Sequence, residues 1–177
     1  MGYLSQFNLP LRSWGIGNHQ VSFSLDDRFF LQFEGGILDN GHFEVICQLN
    51  KLSDSMMLNM SFDGHTKTNC DRCLAPISLP LRGMTTYLIK FDEKDLDEGE
   101  TIFIDKDKLD WNISTLIWDT INLAVPLSRV YDCETEDPLP CDTVVLQKID
   151  WITDPEEEEV STLRSLLDNL SIVKEEE

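Results

Sequence analysis

The chain has 177 residues and a formal net charge of -19, from 33 acidic against 14 basic side chains. Affinity for nucleic acid rests on Lys and Arg neutralising phosphates, so this balance argues against a general nucleic-acid binder and suits a basic partner such as a ribosomal protein. No apolar run reaches the roughly 20 residues that span a bilayer, and no basic region followed by an apolar run opens the chain, so a cytoplasmic protein with reduced thiols is expected.

Hydrophobic residues make up 41% of the chain, enough to build a core. The charge is unevenly spread. Residues 1–90 carry 8 acidic and 7 basic side chains, residues 91–149 carry 15 and 5, and residues 150–177 carry 10 and 2. The acidity therefore sits in the second half. In a reduced compartment, five cysteines point to metal binding, burial or redox chemistry before structural disulfides.

In chain order, Phe7, Leu9 and Leu11 alternate and predict a short edge strand. A turn at residues 15–18 leads to Val21, Phe23 and Leu25, alternating with serines, the pattern of a half-buried strand. Asp26-Asp27 turns the chain into Phe29-Phe30-Leu31-Gln32-Phe33. Gly35-Gly36 and Asn40-Gly41 are turn signals. Phe43, Val45, Cys47 and Leu49 alternate again, so Cys47 is expected in the core. Met56, Leu58, Met60 and Phe62 continue the period of two, and Asp63-Gly64 predicts a hairpin turn with a return run over residues 65–69.

That run enters Asn69-Cys70-Asp71-Arg72-Cys73-Leu74. Beyond it Ile77, Leu79 and Leu81 alternate, and residues 85–91 are β-branched and aromatic. The Cys-x-x-Cys thus reads as a knuckle between two strands of an antiparallel meander. Residues 92–100 form a charged loop and residues 101–104 a short strand. Ile113, Leu116, Ile117, Thr120, Ile121 and Ala124 share one helical face, capped by Asn112 or Asp110 and stopped by Pro126. After a loop with Cys133 and Cys141, residues 144–146 predict a strand. Asp154-Pro155 and the acids at 156–159 then open a helix with Val160, Leu163, Leu167 and Leu170 on one stripe.

The expected fold is α+β: an antiparallel meander or partly open barrel with a central helix at about 113–124 and a C-terminal helix at about 155–170. Residues 1–150 are expected to form one mainly-β domain with the knuckle and one helix, and residues 151–177 an acidic helix and tail.

Cys70, Cys73, Cys133 and Cys141 are the candidate metal set. Four thiolates in a tetrahedron suit a structural zinc and leave no open position for catalysis. The first pair has knuckle spacing; the second has seven residues between its members, wider than usual. Zinc and unmetallated cysteines both stay open on spacing. A thioredoxin-like redox role is a third reading. There the motif opens a helix whose N-terminus lowers the thiol pKa, whereas here Pro76 and the alternation beyond it predict a strand. His65, five residues before Cys70, is a substitute ligand or an exposed histidine. No phosphate-binding loop, nucleophile elbow or acid–base carboxylate pair in apolar context is present, so no enzymatic activity and no small-molecule substrate are expected.

Taken together, the knuckle followed by Pro76, the acidic loop, Asp110-Trp111-Asn112-Ile113 and the helix ending Asn122-Leu123-Ala124-Val125-Pro126-Leu127 resemble the YceD family of bacteria and plastids. That family pairs a Cys-x-Arg-Cys-Leu motif with a later helix closing on Leu-x-Leu-Pro, then cysteines and a Leu-rich C-terminal helix. The resemblance covers about residues 65–170. Cys70, Arg72 and Cys73 match its motif, with Asp71 and Leu74 beside them as motif or binding residues. Cys133 and Cys141 are spaced more widely than the family's cysteine cluster. The resemblance implies a non-enzymatic role in accumulation of large-subunit ribosomal RNA, hence ribosome biogenesis. It also implies a basic ribosomal protein or a large-subunit assembly intermediate as partner, and leaves direct RNA contact open. The reading set against it is a zinc-stapled interaction module unrelated to ribosomes.

Overall fold

A computed structural model describes residues 2–91, 101–105, 110–130 and 141–153. After a 3-10 turn over Tyr3–Phe7 come β1 (Asn8–Leu9), β2 (Gly17–Leu25), the short helix α1 (Asp27–Phe30), β3 (His42–Lys51), β4 (Ser55–Asn69) and β5 (Pro76–Phe91). Next are β6 (Thr101–Ile104), β7 (Trp111–Asn112), α2 (Ser114–Leu123) and α3 (Thr143–Thr153). A five-stranded sheet has the order β2-β3-β4-β5-β6, and β1 pairs with β7 in a separate two-stranded ribbon.

The period of two sets the sheet's register. Val21, Cys47 and Met60 lie opposite one another across β2, β3 and β4, as do Phe23, Val45 and Phe62. On β3 and β4 these side chains are buried, while Gln48, Asn59, Ile46 and Ser61 face the other way. A slip of one residue would put Val45, Cys47 and Leu49 into water, so burial of one face fixes the pairing. Cys47 is a core residue, as its place in the alternation predicts.

The inner face shares one apolar cluster with Phe7, Leu9, Phe29, Phe30, Ile113 just before α2, and Ile117 and Ile121 within it. Positions 113, 117 and 121 recur at helical spacing, which is why this segment buries a stripe against the sheet. The helix starts where sequence places it: the Ser114 N–H donates to Asn112 Oδ1 at 3.0 Å. The hydroxyls of Tyr87 on β5 and Thr120 on α2 are 2.9 Å apart. Phe7 and Leu9 are buried as expected, although only Leu9 lies in a strand, the two-residue β1, and Phe7 ends the 3-10 turn before it.

Several expectations are corrected. The chain does not turn at Asp63-Gly64: β4 runs unbroken through it, with Gly64 opposite Phe43. Glycine is needed for close approach, because a Cβ there would lie 2.1 Å from the His42 carbonyl oxygen. The β3–β4 turn is at residues 52–54, closed by the Leu52 N–H donating to the Ser55 carbonyl at 2.8 Å. Residues 27–30 form a helical turn, N-capped by Asp26, whose Oδ1 accepts from the Arg28 N–H at 3.1 Å. Residues 144–146 lie in α3 instead of a strand, because Asp142 Oδ1 accepts from the N–H groups of Val144 and Val145 and opens a helix. The meander ends at β5, since β6 joins it in parallel. In keeping with the expected open arrangement, no closed barrel forms among the described residues, where β2 and β6 are the ends of the sheet. The helix expected at 155–170 lies outside the described residues.

The chain divides into two compact units, one of Met1–Thr68 with Ile77–Arg129 and one of Asn69–Pro76 with Val130–Glu177. The first contains the sheet and α2. The second contains the knuckle and α3.

Candidate functional site

β4 and β5 are joined by the knuckle. A turn over residues 71–73 places Cys70 and Cys73 in the interior and Asp71 and Arg72 on the surface. The Leu74 N–H donates to the Cys70 carbonyl at 2.8 Å, and the Cys70 N–H donates to the Ala75 carbonyl at 2.9 Å. These two bonds close the loop, leaving its side chains to diverge. Leu74 has a φ of 62°, the left-handed region that favours glycine, and its side chain is 69% exposed. A β-less residue would occupy this position without strain, so the leucine is held there at a cost.

Cys73 is a free thiol, as is Cys47. Burial pushes the Cys47 thiol up to about 12, so it stays protonated and inert at neutral pH. Cys141 shares the knuckle's compact unit, but it is disulfide-bonded, contrary to the expectation of reduced cysteines throughout. Cys133 lies outside the described residues. Among the described residues no three Cys, His, Asp or Glu side chains come together as a metal site; the four-thiolate set includes Cys133 and so extends beyond those residues. His65 stacks on His42, with ring centroids 5.7 Å apart. The knuckle lies between strands, so its thiols lack the helix N-terminus that activates a thioredoxin-type cysteine.

A cleft of about 390 Å³ opens on the outer face of β2, β3 and β4. Its polar lining is five primary amides, Asn18, Gln20, Gln48, Asn50 and Asn59, with His19. His19 is already engaged, stacked on Trp14 and with Nε2 2.8 Å from the Gly15 carbonyl. The cleft lining holds neither a carboxylate nor a nucleophile, so it offers no acid–base pair.

A second region, which sequence reasoning passed over, lies where residues 33–38 cross the C-terminal half of α2. Phe33 stacks on Trp118 at 5.1 Å. Asn122 Oδ1 accepts from the N–H groups of Ile37 at 2.8 Å and Leu38 at 3.1 Å, while its Nδ2 donates to the Trp118 carbonyl. A Cβ on Gly36 would lie 2.6 Å from the Trp118 ring, so glycine is required there. The Trp118 Nε1 donor is buried without a partner among the described residues. Asp119, one residue on, is exposed, yet partial desolvation raises its pKa above the usual carboxylate value. Gly35-Gly36 was legible as a turn; its contact with a residue some eighty positions away was not.

No curated protein and no solved structure matches the chain. The family model of the large ribosomal RNA subunit accumulation protein YceD matches residues 58–170, from β4 through the knuckle, α2 and α3. The family name points to accumulation of large-subunit ribosomal RNA, and the family is not a known enzyme family. No helix among the described residues is long and apolar enough to cross a membrane. Its knuckle and α2 fall within that match, and the chain belongs to the YceD family.

Proposed function

We propose that this protein is a non-enzymatic factor in biogenesis of the large ribosomal subunit. It acts in the cytoplasm as an acidic module that holds a basic ribosomal protein or an assembly intermediate. The observation that carries this reading is family membership joined to the charge distribution: residues 91–177 hold 25 acidic and 7 basic side chains, against 8 and 7 in residues 1–90. A basic protein meets that charge with complementary potential, which speeds encounter and disfavours competing acidic partners. Deleting the gene and measuring precursor and mature large-subunit rRNA tests the reading. A lowered mature level, restored by the full chain, is expected; an unchanged level counts against it.

The second reading is a zinc-stapled interaction module with no ribosomal link. Two buried cysteines at knuckle spacing favour it. Metal analysis of the purified protein decides the staple: less than about half an equivalent of zinc per chain removes it.

A further inference from the structure

The surface where residues 31–39 meet the end of α2 has a composition unlike the rest of the acidic chain. Ile37 is 63% exposed and Leu123 is 84% exposed, although both adjoin Asn122, which is buried. Leu31 is also exposed. Exposed Asp119 lies four positions before Leu123, so the two neighbour each other on one helix face. Glu34 and Asp39 are exposed on the adjoining segment. Neither residues 31–39 nor residues 110–127 contain a Lys or Arg. Two adjoining segments, joined through Asn122, thus expose large apolar side chains and carboxylates together, with no cation within either segment.

Two further features mark this face as built. Asn122 pins the backbone of Ile37 and Leu38 to the helix, so the apolar side chains are presented on an ordered frame. Beneath the same segment, the Trp118 Nε1 donor is left without an acceptor, so hydrogen bonding there is incomplete within the described residues. Exposed apolar side chains that cluster inside a polar rim mark interaction sites, whereas scattered ones need no explanation.

We infer that this face is a docking surface for a basic amphipathic segment of a partner protein, whose apolar side chains cover Ile37 and Leu123 while its Lys or Arg residues meet Glu34, Asp39 and Asp119. This rests on the reading that the partner is basic and names the surface that takes it. A second copy of the chain is a poorer occupant, because its own carboxylates would face the same carboxylates. A basic helix supplies both the apolar stripe and the opposite charge in one element.

The test uses the full chain and a fluorescein-labelled peptide of Leu and Lys with leucines at helical spacing, beside a scrambled peptide of the same composition. Anisotropy should show the amphipathic peptide binding at least about tenfold tighter than the scrambled one, since charge alone does not distinguish them. Ile37→Ser and Leu123→Ser should each weaken binding by about tenfold, as expected for central apolar contacts. Glu34→Lys and Asp119→Lys should weaken it and flatten its salt dependence. Met84→Ser removes an exposed apolar side chain on β5 and should change the affinity by less than about twofold, as for residues outside a hot spot. Equal binding of the two peptides overturns the inference. So does unchanged binding by both serine variants, or a dimer of the free chain that Ile37→Ser dissolves. If the wild type retains an identified basic ribosomal protein and the serine variants retain it equally, the surface assignment alone falls. If the wild type retains none, the underlying reading falls.

Discussion

At Leu74 a leucine occupies backbone space that costs an L-residue roughly 1–2 kcal/mol. Its side chain is largely exposed and contributes little burial in return. Leu74→Gly removes the strain but adds about 0.5–1 kcal/mol of unfolded-state entropy cost. A small net stabilisation, below about 1.5 kcal/mol, is therefore expected, read as a higher melting temperature. A lower melting temperature would mean that the leucine side chain packs in solution. Asp119 supports a pH prediction. Its folded pKa is raised by desolvation, so ionisation is disfavoured in the native state. The resulting penalty is fully present above that raised pKa and vanishes as pH falls below the unfolded value near 3.9. Asp119→Asn should thus be more stable than wild type at pH 7, with the gap closing towards acid pH. A gap that widens towards acid pH contradicts this.

Between elements, Asn122 is the main polar tie from α2 to residues 37 and 38. Asn122→Ala leaves two backbone N–H groups without their acceptor, at a cost of roughly 1–3 kcal/mol. Hydrogen exchange at the Ile37 and Leu38 amides should accelerate, while exchange in the middle of β3 should change little. Gly64→Ala places a Cβ against backbone, where no side-chain rotation relieves the contact. Destabilisation of roughly 1–3 kcal/mol is expected, as for other forced overpacking. Chemical denaturation would measure it, and an unchanged midpoint would contradict the close approach of β3 and β4.

Legibility divides along the same line. Strands β2 to β4 could be read because one buried face imposes a period of two, and α2 because Ile113, Ile117 and Ile121 repeat at helical spacing. Asp63-Gly64 misled because the dipeptide of a tight turn is also what a close strand crossing selects. Residues 144–146 looked like a strand because β-branched residues dominate three positions, while Asp142, the actual start signal, stands outside them. The knuckle was legible as a strand connection. The apolar face at Ile37 and Leu123 was not, because it joins segments far apart in sequence.

For the whole molecule, nearly neutral residues 1–90 supply β1 to β4, the knuckle and most of β5, and the acidity is carried by the rest. Among the described residues no carboxylate is buried, so the acidity of the second half does not strain the core. The family match covers both the knuckle and α2, and under the proposed function the acidic second half of the chain is what a basic partner recognises. The most direct test is recovery of identified basic ribosomal proteins on the immobilised full chain across a salt series. Recovery should be high at low salt and fall steeply as the Debye length shortens from about 10 Å at 0.1 M to about 3 Å at 1 M. Recovery that does not change with salt, or an absence of basic ribosomal proteins at every salt concentration, would contradict the account.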